Sequence, residues 1–139
     1  MRRTTLKTLA AGALSACVLP TLAASSRKTD KRLLGTWRSD KERTTRLWRY
    51  KTELDAENKL KFESIFGKLT RRYTSTCLYS DFDGDKTSGK YSVIASDTRS
   101  VVLAYTEEDG TRLEQVFFEE DWIYILAGYN VEFFRRVEA

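Results

Sequence analysis

Leu33-Leu34-Gly35-Thr36-Trp37-Arg38 opens the domain with a glycine, one residue, then a tryptophan. Residues i and i+2 of a strand share a face. Gly35 therefore puts no side chain at the same-face position beside Trp37, and the bulky indole can fold against bare backbone. Such an arrangement closes the bottom of a small barrel. No catalytic chemistry is written in it.

At the far end, Val131-Glu132-Phe133-Phe134-Arg135-Arg136-Val137 reads as a final strand carrying two basic residues. Together the two stretches resemble lipocalins and related calycin barrels. Gly35-Thr36-Trp37 matches the Gly-X-Trp signature of the family's first strand, and the family lays an arginine of the last strand over that tryptophan. Arg135 is assigned this contact, of the cation–π kind. It alternates with Val131, Phe133 and Val137 on an apolar face, whereas Arg136 follows Glu132 and Phe134. The alternative is that both arginines end an edge strand in solvent. The resemblance implies a lipocalin-like barrel over residues 33–138, with Gly35, Trp37 and Arg135 as its structural signature.

The residues between these ends are punctuated strands. Apolar or alternating runs at 69–76, 77–82, 90–96, 100–106, 111–118, 122–126 and 131–137 are separated by turn-forming residues, including Asp83-Gly84 and Asp109-Gly110. With the first strand this makes about eight, at the spacing of an antiparallel up-and-down barrel. The expected class is mainly β, with one interruption. Over 41–66 the period changes: Leu47, Trp48, Lys51 and Leu54 are spaced as one helical face, followed by Phe62, Ile65 and Phe66. Ser39 or Asp40 and then Asp55 supply helix-start signals, and Gly67 a stop. This predicts a two-helix insert after strand one, bent near Leu54-Asp55, covering the open end or side of the barrel.

The chain has 139 residues, which suits one domain behind a leader. Arg2, Arg3 and Lys7 precede an uncharged run from Thr8 to Ala24, as in an export signal. Arg2-Arg3 followed by Leu6-Lys7 resembles the twin-arginine signal of bacteria, with Thr5 where an aromatic is usual, so the general secretory route stays open. The run is short for a membrane helix and is interrupted by Gly12, Ser15 and Pro20. Cleavage is expected near Ala23 or Ala24, which removes residues 1–24 and leaves 25–32 as a polar connector. Leu14-Ser15-Ala16-Cys17 offers the competing outcome, a lipid anchor on Cys17. The expected location is periplasmic or secreted, with no transmembrane span in the mature form.

Cleavage would leave 21 basic against 20 acidic residues, so the high isoelectric point belongs largely to the leader. A nucleic-acid partner loses its support with it. The chain has no histidine, which removes histidine proton shuttles, Ser-His-Asp and Cys-His pairs and histidine metal sites. Cys77 has no histidine to activate it and reads as a buried structural thiol. Asp81, Asp83 and Asp85 alternate like a calcium loop, but Lys86 and Ser92 stand where the turning glycine and closing glutamate belong. No cofactor, metal or enzymatic activity is expected.

Aromatics fall on successive strands: Tyr73, Tyr91, Tyr105, Phe117 and Tyr124. Pointing inward, they would either line a small-molecule cavity or fill the core. One of Arg71 and Arg72 is expected to face inward or lie under the helices. Two functions follow as expectations for a monomer: binding of a small, largely apolar ligand in or at the mouth of the barrel, or a cell-envelope protein-binding module with a filled barrel.

Overall fold

The computed structural model describes residues 29–138. The expected export signal, its Cys17 alternative and residues 25–28 of the connector lie outside the described residues. Eight strands follow in order: β1 (Gly35–Ser39), β2 (Leu69–Tyr73), β3 (Cys77–Phe82), β4 (Asp85–Ser96), β5 (Ser100–Glu107), β6 (Gly110–Glu119), β7 (Trp122–Ala127) and β8 (Asn130–Glu138). Each pairs antiparallel with its successor, and β8 returns to β1, closing an up-and-down barrel. Among the described residues no helix is long and apolar enough to cross a membrane.

β4 starts at Asp85, earlier than its apolar residues suggest, because Asp83 and Gly84 both take positive φ (54° and 97°). This two-residue turn matches strand twist and lets β3 and β4 pair up to Phe82 and Asp85. Asp81 Oδ1 accepts the Gly84 amide at 2.7 Å, so these carboxylates build a hairpin tip. In the β5–β6 hairpin the two turn residues are Glu108 and Asp109, with Gly110 already paired to Glu107.

The insert holds two short helices, α1 (Lys41–Arg46) and α2 (Ala56–Glu63). Asp40 and Asp55 cap them, accepting the amides of Arg43 and Asn58. Residues 47–55, expected to be largely helical, connect them without helix. A six-residue helix has little stability of its own. The connection is held by tertiary bonds instead: Asn130 accepts the Arg49 amide at 2.6 Å and donates to the Arg49 carbonyl at 2.9 Å.

The arginine over Trp37 is Arg136, not Arg135. Its guanidinium carbon lies 4.1 Å from the ring centroid, and its two terminal nitrogens donate to the carbonyls of Leu34 and Arg32. The register explains the choice, since Trp37 pairs directly with Arg136 and directly paired residues share a face. Arg135 pairs with Arg38 and Trp122 and is exposed. Phe133 made the other face look like core. It is buried outside the barrel, beneath α1, where the Arg43 guanidinium sits over its ring at 4.4 Å. Thr44 Oγ1 accepts the Phe133 amide at 2.9 Å, and Asp40 donates to the Phe133 carbonyl at 2.8 Å. α1 thus stands in for the neighbour that the short β1 does not provide.

Candidate functional site

The barrel interior is the first place to seek a site, because eight strands leave room for packed side chains or for one small ligand. Side chains occupy it here. Leu33, Trp37, Val101, Leu103, Val116, Ile123 and Phe134 are buried together with Tyr73, Tyr91 and Tyr105. Trp37 Nε1 donates to the Leu33 carbonyl at 2.9 Å, so the indole is satisfied as well as packed. Tyr91 makes edge contact with Tyr73 at 5.5 Å and a tilted one with Tyr105 at 6.5 Å.

Among these side chains lies a polar ring. Arg71 donates to both Glu114 oxygens (2.9 and 3.3 Å) and to the Tyr73 hydroxyl (3.0 Å). Tyr105 gives its one hydroxyl hydrogen to Glu114 at 2.7 Å, so the 3.1 Å contact between the tyrosines is donated by Tyr73. Burial pushes both phenols up. Burial also raises Glu114, but Arg71 and the Tyr105 hydroxyl outweigh it and hold this carboxyl below the usual range. Glu132 differs: burial dominates, the Ser39 hydroxyl at 2.8 Å offsets it only in part, and its carboxyl is held above the usual range. Arg71 Nε is buried without a hydrogen-bond partner among the described residues. Of the two neighbouring arginines Arg71 is therefore the inward one. Arg72 lies over the Tyr79 ring at 4.3 Å. Glu114 was not singled out from sequence, although its alternation with Val116 and Phe118 carries the signal.

Tyr73, Tyr91 and Tyr105 meet inside the barrel, but Phe117 and Tyr124 do not join them. Val116, Ile123 and Ile125 hold the inward positions of β6 and β7, which turns Phe117 and Tyr124 to the outer wall. There they stack as a cross-strand pair, 4.9 Å apart and 7° from parallel, and Tyr124 continues to Phe133 at 5.4 Å.

Outside the barrel, beside the insert, lies a groove of about 300 Å³. Trp48, Tyr50, Leu54 and Phe62 line one side, and the β7–β8 turn from Ala127 to Asn130 the other. Trp48 packs on Phe62 and Phe66, with ring centroids 5.4 and 5.1 Å apart, and only Phe66 of the three is buried. Tyr50 donates to Glu63 at 2.5 Å, and burial with this carboxylate pushes its phenol up to about 12. Leu54 and Tyr129 present apolar surface at the rim, while Arg49 and Lys51 are the charged lining residues.

Comparison with protein-family models, curated proteins and solved structures finds no match to this chain.

Proposed function

We propose that this chain is an exported protein-binding module of the cell envelope, a solid barrel that presents its helical insert and β7–β8 turn to a protein partner. The observation that carries the reading is the interior, packed with Trp37, three tyrosines and the Arg71–Glu114 pair. A binder that swallowed its ligand would have to expel these side chains. The apolar surface left over is outside, in the Trp48–Leu54–Tyr129 groove, and its lining charges, Arg49 and Lys51, are basic. The partner that fits is an acidic segment carrying an apolar anchor, since buried anchors supply most interface energy and rim charges steer encounter. The lipocalin resemblance and the leader support an envelope role.

Site-specific photocrosslinking in cells tests this. A crosslinker at Tyr129 is expected to capture a discrete partner, and one at Ile94, exposed on β4, is not. Leu54→Asp should abolish the Tyr129 adduct. Equal labelling from both positions, or an adduct indifferent to Leu54→Asp, would overturn the assignment. A saturable fatty acid that shifts the emission of Trp37 would restore the barrel interior as the site.

A further inference from the structure

A second cleft, of about 370 Å³, lies on the outer wall near the β4–β5 turn. Its lining includes Asp97, Arg99, Ser100, Gln115, Phe117 and Tyr124, and also Glu119, whose carboxylate is paired to Arg43 at 3.0 Å. The register explains why it exists. Ser100, Phe117, Tyr124 and Phe133 form one cross-strand row, and the row begins with a small residue. The space beside Phe117 on the Ser100 side is left open as the ring ladder ends.

The polar half of the cleft is tied down from several directions. Arg32 donates to the carbonyls of Asp97 and Thr98, both at 2.9 Å, while Asp30 grips Arg32 through two oxygens. Asp97 Oδ1 accepts the amides of Arg99 and Ser100, each at 2.8 Å, and these bonds hold its carboxyl below the usual range. Phe118 donates its amide to the Arg99 carbonyl at 2.8 Å. Gln115 donates to Ser100 Oγ at 2.8 Å, which fixes its amide plane, and its carbonyl oxygen accepts no hydrogen bond among the described residues. The Arg99 guanidinium likewise makes no hydrogen bond or ion pair among the described residues, although its backbone is fixed. The fixed backbone and ring floor are preorganised, while the exposed Arg99 side chain is uncommitted and can close on a ligand.

We infer that this cleft binds a saccharide bearing a carboxylate, with one ring face against Phe117, hydroxyls on Asp97 and Gln115, and the carboxylate on Arg99. A sugar has an aliphatic C–H face for an aromatic floor and hydroxyls that both donate and accept. It therefore suits a carboxylate, an amide and a guanidinium at once. A purely apolar ligand would strand those groups. The cleft is distinct from the insert groove, so this inference does not depend on the proposed partner.

Titration of the purified, isotope-labelled protein with glucuronate and glucose, followed by amide resonances, tests it. Glucuronate should give saturable shifts centred on Ser100, Gln115 and Phe117, with glucose weaker by about tenfold for the loss of one charge-assisted bond. Arg99→Gln, at an exposed and unbonded side chain, should remove the difference between the two sugars, and Phe117→Ala should weaken both. Absence of saturation, equal affinity of the two sugars, or shifts reproduced by acetate or by benzoate would each overturn it.

Discussion

The two halves of β8 are built by different rules. From Phe134 onward the strand pairs with β1, and alternation sorts residues cleanly: Phe134 and Arg136 inward, Arg135 out. From Asn130 to Phe133 β1 has already ended, and α1 backs the strand instead, burying the outward-facing Phe133. A buried phenylalanine thus marks the barrel interior in one half and a helix contact in the other. Hydrophobicity reports burial, whereas register reports the face, and the two agree only where the sheet has a single covered side.

Trp37→Ala should break the β1-paired half most severely, costing about 3–5 kcal/mol in urea unfolding, as expected for emptying a buried aromatic site. Thr44→Val attacks the helix-backed half by leaving the Phe133 amide without its acceptor. A loss of about 1–3 kcal/mol is expected, with the barrel's tyrosine signals unchanged. Arg136→Ala removes a cation–π contact and two bonds to backbone carbonyls and should cost about 1–2 kcal/mol. Arg135→Ala on the exposed neighbour should stay within about 0.5 kcal/mol. Equal losses from the two arginines would erase the distinction between their faces.

The smallest expected effect concerns Glu132, on the helix-backed half. Its carboxyl is held above the usual range mainly by burial, so the folded chain takes up this proton more readily than the unfolded chain. Its charged form opposes folding at neutral pH, and the penalty fades as pH falls through the raised value. Glu132→Gln should therefore stabilise at about pH 7 and do less near about pH 5. Glu114 has the opposite sign: its lowered value stabilises the fold at neutral pH, and that contribution is lost only as pH falls through it. Unfolding midpoints followed from about pH 7 down to about pH 3 check both signs, Glu132 on the near side of the ordinary carboxylate range and Glu114 on the acid side.

Much of the architecture was legible in the sequence because its signals are local. Strand alternation, the Asp40 and Asp55 caps and the turn residues fix element order without reference to distant chain. The rest depended on what covers each face. Phe117 and Tyr124 read as interior from aromatic character, yet Val116, Ile123 and Ile125 had the better claim to that face. Residues 47–55 carried helical spacing, but bonds to Asn130 hold them in another conformation. Glu114 draws no attention in the sequence because its partner Arg71 lies 43 positions away in the chain. Both clefts are assembled from segments distant in sequence, so neither leaves a motif.

The central claim is that the barrel is solid and its working surfaces are external. The chain has three tryptophans, at 37, 48 and 122, so emission from two of them can be isolated. Variants retaining only Trp37 or only Trp48 should be titrated with a panel of fatty acids and with the captured partner. Trp37 emission should stay constant throughout, and Trp48 emission should shift on partner binding. A saturable change at Trp37 with a small apolar ligand, and none at Trp48 with the partner, would contradict the account.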